Sequence, residues 1–311
     1  MSEGLILFLL VCYVADMVIG DPAGWPHPVR LIGRALDMLE PVLRRSGLSL
    51  RLCGFAVLFT GCSAVFLVVT SLVSLPVFGF ILSLYLGYAC LAQGCLLHET
   101  RKVQKLIDSG SLQEARKAMS FLVSRDTAKL NEQELYQALA ETLSENYNDA
   151  FCAPFFYLSL MGVPWVWVYK LVSTMDSMWG YKTDKWNQLG FAGAKADDIL
   201  AYIPARLAAL SLVGAAYILG LGKNVRLSVM AADAGRMESP NAGWPMSAAA
   251  HILGVRMGGN ASYFGKKKFK PVLGREGESY SSAKIKQLIS LTQTGSLLYA
   301  LGFTFLAAAI R

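Results

Sequence analysis

LCGFAVLFTGCSAVFLVVTSLVSLPVFGFILSLYLGYACLAQGCLL, residues 52–97, is two long apolar runs, 52–74 and 76–97, parted only by the short break at Pro76. A bilayer crossing takes about 20 apolar residues, so each run is long enough to span. A break this short makes the pair a tight transmembrane hairpin with both ends on one side. Arg30, Arg34, Arg44, Arg45 and Arg51 lie just before it. Lysine and arginine concentrate on the cytoplasmic face, so that side is expected to be the cytoplasm.

The composition points the same way. Of 311 residues, 54% are hydrophobic and only 16% charged, where soluble domains carry about a quarter. The mean hydropathy is +0.41. Further apolar segments are expected at 4–20, 151–170, 199–221 and 291–310, separated by polar regions at 21–51, 98–150, 171–198 and 222–290. The reading is all-α: a polytopic membrane protein, one integral membrane domain over 1–311, with polar helices and irregular loops forming a cytoplasm-facing site. Pro154 and Pro164 interrupt 151–170, and Pro204 with Arg206 sits in 199–221. Both segments are therefore expected to be broken and cavity-lining, a place where non-helical backbone is tolerated at membrane depth.

The net charge is +7. In a membrane protein this excess belongs to cytoplasmic loops, and no basic–aromatic stretch resembles a nucleic-acid module. Residues 222–290 carry eleven basic side chains against four acids and belong on the same side. Cys12, Cys53, Cys62, Cys90, Cys95 and Cys152 lie in or beside apolar runs without a CxxC pair, so they read as small buried hydrophobes. The first apolar run lacks a basic n-region and a small-residue cleavage site, and is expected to be retained as a helix.

The chemistry lies in the polar islands. SRDTAKLNEQELYQALAETLSENYND, residues 124–149, predicts a helix capped by Asn131 with Glu134, a capping box. Leu135, Leu139 and Leu143 give one apolar stripe. Glu141, Glu145 and Asp149 follow at four-residue steps along another face. Stacked carboxylates repel, and a cation, a basic substrate or a metal would offset the repulsion; a solvated acidic face is the plainer alternative. Ser111 with Glu114 reads as a second capping box. Arg125, beside Asp126, is placed to clamp a phosphate or carboxylate.

Asp16 lies inside the first apolar helix, where an ionisable residue is a functional candidate by default. GDPAGWPHPVRLIGR, residues 20–34, is a fixed loop carrying Asp21, His27 and Arg30. DSMWGYK, 176–182, sets Asp176 and Lys182 around Gly180, which is expected to allow a sharp turn. GAKADD, 193–198, ends in Asp197 and Asp198, and adjacent acids suit magnesium. SPNAGWP, 239–245, with Asn241 and Trp244, follows Asp233 and Arg236 and suits a binding loop. GVRMGGNASYFG, 254–265, is a glycine-rich loop able to present N–H groups to phosphate. No P-loop, HExxH, GxSxG or paired-cysteine metal motif occurs. The residues alone describe a membrane-embedded enzyme, or a transporter, for a polyanionic or phosphorylated substrate.

The islands GDPAGWPHPVRLIGR, SRDT, ETLSENYNDA, YKLVSTMDSMWGYK, GFAGAKADDILAYIPARL and SPNAGWPMSAAAHILGVRMGGNASY, in this order, resemble the adenosylcobinamide-phosphate synthase family of cobalamin biosynthesis. Two positions depart from the family pattern: Ala150 stands where Gly is common, and Met246 where an acid is common. The resemblance implies a multi-pass inner-membrane ligase that forms a C–N (amide) bond. It joins a carboxylate of adenosylcobyric acid to aminopropanol or aminopropanol phosphate, with ATP and Mg2+, on the cytoplasmic side. Its implied partners are the corrinoid and amino-alcohol (phosphate) substrates, the lipid bilayer and other cobalamin-assembly enzymes, and no nucleic acid. Glu141, Glu145 and Asp149 are then expected to be catalytic, with Asp149, Asp197 and Asp198 holding the metal. Arg125, Lys182 and Arg30 would contact phosphate. Asp21, His27, Asp126, Asn146, Asp176, Asn241 and Trp244 complete the substrate site. The competing classes are a transporter of a corrinoid or phosphorylated metabolite, which broken helices would suit, and a non-catalytic membrane sensor of the same fold. The chain shows no internal repeat of the transporter kind.

Overall fold

The computed structural model describes residues 2–22, 24–222, 225–263, 265–275 and 277–310. They divide into two compact units, each assembled from separated stretches of the chain.

The first unit takes the described residues of Met1–Ala92, Ala153–Ala201 and Gly302–Arg311. It holds α1 (Ser2–Ile19), α2 (Pro28–Arg45), α3 (Leu50–Val73), α4 (Gly79–Ala89), α8 (Ala153–Met161), α9 (Val163–Trp179) and α10 (Phe191–Leu200). The expected hairpin is α3 and α4, turned at Ser74–Phe78. Small residues let α3 pack closely against α9 and against the segment between α9 and α10. Gly54 lies so near the Leu189 carbonyl that a Cβ would collide with it, and Gly61 sits against Leu171. Leu36, Cys53, Val57, Leu171, Met175, Trp179 and Leu189 form the buried cluster around this contact. Gly87 of α4 gives the same close approach to Phe8 and Cys12 of α1. The opposite faces are apolar and uncovered: Leu7, Val14 and Val18 on α1, Phe59, Leu67 and Val68 on α3. Apolar surface of this extent on such helices is matched by lipid, not water.

Where one apolar segment is expected at 151–170, two helices are found. Gly162, at φ 87°, turns the chain between α8 and α9. Pro164 lies in the first turn of α9, where a missing N–H costs no helical bond, so it starts that helix. Pro154 follows directly on the π-helical turn Asn148–Cys152, and the helical run continues through it. Leu50–Val73, Gly79–Asp108 and Ser282–Ile310 are each long and apolar enough to cross a membrane. Phe191–Leu200 and Tyr202–Ile218 reach that length only together, and are broken between them. The protein is a helical, multi-pass membrane protein.

The second unit takes Gln93–Cys152 and the described residues of Tyr202–Leu301. It holds α5 (Gln93–Asp108), α6 (Leu112–Met119), α7 (Glu132–Tyr147), a π-helical turn (Asn148–Cys152), α11 (Tyr202–Ile218), α12 (Leu227–Ala234), α13 (Gly243–Leu253), strands β1 (Met257–Tyr263) and β2 (Lys266–Leu273), and most of α14 (Ser282–Ile310). Buried alanines, Ala205 and Ala208 on α11 and Ala248 and Ala249 on α13, bring those helices close. Tyr147 shares a hydrogen bond with Ser211 at 2.9 Å, and Phe151 packs edge-on against Tyr299 at 6.1 Å.

Four local expectations are corrected. The glycine-rich stretch 254–265 is mainly strand: β1 pairs antiparallel with β2 from Met257↔Leu273 to Tyr263↔Lys266, with an irregularity between Met257 and Gly259. Gly258 there has φ 89° and lies against the Pro271 carbonyl, so the glycine serves backbone approach. Ser111 caps nothing with its side chain; its hydroxyl meets Ser109 Oγ at 3.1 Å instead. Gly180 ends α9 at an ordinary φ of −71°; it is glycine because a Cβ would strike the Asp176 carboxylate. Arg206 is half-buried, not buried.

Candidate functional site

The capping box of α7 is formed: the Glu134 N–H donates to Asn131 Oδ1 at 3.0 Å and the Asn131 N–H to Glu134 Oε2 at 2.8 Å. The helix it opens is not solvated. Leu135, Leu139 and Leu143 are fully buried, and so is almost all of Glu141. Glu145 and Asp149 are half-buried. The acidic face is therefore interior, and cations do meet it. Arg125 pairs with Glu141, with the two side chains 10% and 4% exposed. Glu141 Oε1 also accepts from Gln137 Nε2 at 2.8 Å and from the Gly258 N–H at 2.7 Å. Gln137 donates in addition to the Gly258 carbonyl at 2.8 Å. Three donors meet this one carboxylate and tie α7 to β1.

Lys270 of β2 brings a second cation. Burial works against its charge, but Glu145, a hydrogen bond to Tyr263 and Glu141 outweigh it, and the ammonium is held above its ordinary pKa. Asp149 lies in the π-helical turn, an irregularity often found at functional sites. Asn148 Nδ2 donates to its carboxylate at 2.7 Å. Asn146 donates back to the Thr142 carbonyl at 3.0 Å.

Asp126 joins the SRDT segment to the hairpin. Its N–H donates to the Ser262 carbonyl at 2.8 Å, and its carboxylate accepts from the Gly265 N–H at 2.9 Å. Between this segment, α6 and the hairpin lies a cleft of about 1330 Å3, lined in part by Arg116, Lys117, Arg125, Lys129 and Lys267.

A second polar centre ties α12 to α13. Asp233 accepts from Arg236, from His251 Nε2 at 2.8 Å and from the Gly274 N–H at 2.9 Å. A carboxylate with these donors only accepts, so Nε2 carries the proton. Burial, with Arg275 and Arg236 nearby, lowers the His251 pKa and keeps the ring neutral. Between the two helices runs the loop of residues 235–242, which ends earlier than the expected 239–245 stretch because Gly243, Trp244 and Pro245 form the first turn of α13. Asn241 is buried in that loop. Trp244 stacks under Arg206, whose guanidinium lies 4.7 Å from the ring centroid.

The remaining expected residues lie in the first unit. Asp21 and His27 come together at 3.4 Å, in a loop that Tyr85 and Tyr88 hold by donating to the Pro26 and Gly20 carbonyls. Arg30 is exposed in the first turn of α2, Asp176 is half-buried near the end of α9, and Lys182 is exposed just beyond it. Asp197 and Asp198 are half-buried on α10, and Lys195 pairs with Asp198 at 2.9 Å. Among the described residues, no three histidine, cysteine or acidic side chains cluster closely enough to hold a metal by themselves.

Sequence reasoning missed Gln137, Lys270 and the Asp233–His251 pair. Lys270 is hidden in the run KKKFK, which reads as a solvated patch. Asp233 and His251 are eighteen residues apart, with no motif joining them.

Helices of spanning length with these buried ion pairs define a helical multi-pass membrane protein with a polar site. The chain belongs to the CobD/CbiB family: the family model described as CobD/Cbib protein matches residues 9–292. It is 38% identical over 299 residues to the Cobalamin biosynthesis protein CobD of Listeria monocytogenes serotype 4b, covering 94% of this chain and 95% of that one. The protein of the same name from Pelobacter propionicus is 36% identical over 308 residues, 97% and 95% of the two chains. The one from Citrobacter koseri is 35% identical over 301 residues, 94% of each. No solved structure matches.

Proposed function

We propose that the chain is a cobalamin-biosynthesis enzyme, the ligase that converts adenosylcobyric acid and aminopropanol, or its phosphate, to adenosylcobinamide (phosphate) at the expense of ATP. The supporting observation is that the two polar centres of the second unit, around Glu141 and around Asp233, draw on the segments that carry the resemblance. SRDT supplies Arg125 and Asp126, ETLSENYNDA supplies Glu141, Glu145 and Asp149, and the stretch after SPNAGWP supplies His251 and Gly258.

A carboxylate is a poor electrophile and must be activated. Its oxygen attacks the terminal phosphorus of ATP, forming an acyl phosphate and releasing ADP. The amine nitrogen then attacks the acyl carbon, the bond to the phosphate oxygen breaks, and inorganic phosphate leaves. The amine sheds a proton to a carboxylate, Glu141 or Glu145, and of the two we favour Glu145. Glu141 is occupied by three donors and acts as a positioning residue for the hairpin. Glu145, half-buried and facing the Lys270 charge, is the proton acceptor. Lys182 and Arg30, both exposed, would contact phosphate; Arg125, expected to do the same, pairs with Glu141. Asp21, His27, Asp126, Asp176, Asn146, Asn241 and Trp244 orient substrate. Magnesium takes much of its coordination from phosphate and water and needs only one or two carboxylates, which Asp149, or Asp197 with Asp198, would supply. When bound it offsets phosphate charge. The site would face the cytoplasm from the inner membrane, a reading supported by the Arg-rich segment before α3.

The test is ADP release by the purified full-length protein in detergent. Release should require both adenosylcobyric acid and an amine, and Glu145→Gln should lower kcat by about 10^2–10^4 with KM little changed. Release that ignores the corrinoid, or an unaffected Glu145→Gln variant, would contradict the mechanism.

A further inference from the structure

The cleft between α6, the Ser124–Leu130 segment and the hairpin carries a charge imbalance that the protein leaves uncorrected. Five basic side chains line it, Arg116, Lys117, Arg125, Lys129 and Lys267, against two acids, Asp126 and Glu134. Each acid is held by a backbone N–H, and among the described residues neither forms an ion pair with the lysines. The Asp126 carboxylate receives the Gly265 N–H, and Glu134 closes the α7 capping box. Arg125 is committed to Glu141. Lys117, Lys129 and Lys267 make no ion pair among the described residues. Arg116 spends its Nε on the Leu130 carbonyl at 2.8 Å.

Three uncommitted ammonium groups around one concave site repel one another and raise the local potential for an anion. Their spread over α6, a loop and a strand suits an extended polyanion better than one compact charge. The volume, about 1330 Å3, exceeds what a single phosphate fills and accommodates a drug-sized ligand. A corrinoid with one free carboxylate offers little to such a lining. We propose that this cleft binds the triphosphate of a nucleotide, with Lys117, Lys129 and Lys267 as its phosphate contacts. The proposal deepens the ligase reading and rests on it for the role of the bound nucleotide.

The test is equilibrium binding of ATP to the full-length protein in detergent, comparing the wild type with the Lys117→Ala/Lys129→Ala/Lys267→Ala variant and with Lys266→Ala, which lies outside the cleft lining. ATP affinity should fall at least about tenfold in the triple variant, while Lys266→Ala binds as the wild type does. The three lysines are exposed, so the melting temperature without ligand should not change. The three single variants carry the same test if the triple variant is not obtained. Wild-type affinity should also weaken as salt rises. Undiminished ATP binding by the triple variant, or no ATP binding by the wild type, would overturn the proposal. So would full displacement of ATP by aminopropanol phosphate at equal concentration, which would assign the cleft to the monophosphate. Amide formation by the wild type is measured in parallel. If amide forms but the lysines do not matter, the cleft assignment fails and the ligase reading stands. If ATP binding depends on the lysines but no amide forms, the cleft assignment stands and the ligase reading fails.

Discussion

Glu141 is a charged side chain buried almost completely inside the second unit. Its charge is almost wholly removed from water, and only Arg125, Gln137 and the Gly258 N–H replace the lost solvation. Removing one partner of such a buried pair costs about 3–5 kcal/mol, because the other charge is left uncompensated. Arg125→Ala should therefore lower unfolding stability by that amount in thermal or denaturant melts, and Arg125→Met with Glu141→Leu should recover much of it. Recovery of stability without recovery of turnover would mark the pair as functional beyond its structural part. His251 gives a pH signature at the same scale. Its folded pKa is lowered, so the folded state binds the proton less readily than the unfolded chain. The stabilisation from the neutral ring is full above about pH 6.5 and is lost as pH falls below it. The wild type should lose melting temperature from pH 7.5 to 5.5 more steeply than His251→Gln. Equal slopes would place the titration elsewhere. None of these partnerships was legible in the sequence. The sequence marks Arg125 as a clamp for a phosphate or a carboxylate; the carboxylate it meets is Glu141, a partner that no spacing rule identifies.

At the scale of elements, two sequence signals of the same form had different outcomes. Asn131–Glu134 and Ser111–Glu114 both match the capping pattern. Only the first forms it, because Gly110 at φ 75° and Ser109 draw the Ser111 hydroxyl aside. Asn131→Ala should cost about 1 kcal/mol, whereas Ser111→Ala should change the melting temperature hardly at all. Equal losses would mean that the two helix starts are alike in solution. The Leu135–Leu139–Leu143 stripe was read correctly as a buried face. The carboxylates were read as following one another along a helix, but the π-helical turn at Asn148–Cys152 begins before Asp149. A five-residue π-turn leaves no mark in a 3.6-residue pattern. The hairpin was also hidden, since glycines in β1 and lysines in β2 mask strand periodicity, and its stability comes from contacts to Asp126 and Glu141 far along the chain.

At the scale of the molecule, the membrane class and the helical architecture were legible because spanning length and apolarity are local properties. The hairpin at Pro76 and the final helix needed nothing more. The interior breaks were harder. Proline suggests interruption at 151–170, but the turn is at Gly162; Pro164 begins the helix after it, and the helix runs on through Pro154. Family membership was legible from the ordered polar islands, while the pairing of those islands into buried centres required the fold. The measurement that bears most directly on the ligase proposal is product analysis by mass spectrometry. Full-length protein in detergent is given adenosylcobyric acid, ATP and magnesium with either aminopropanol or aminopropanol phosphate. The proposal expects an amide product whose mass equals corrinoid plus amine minus water, formed only with ATP present, and with the favoured amine identifying the natural nucleophile. Folded protein that binds the corrinoid yet yields no amide with either amine would contradict it.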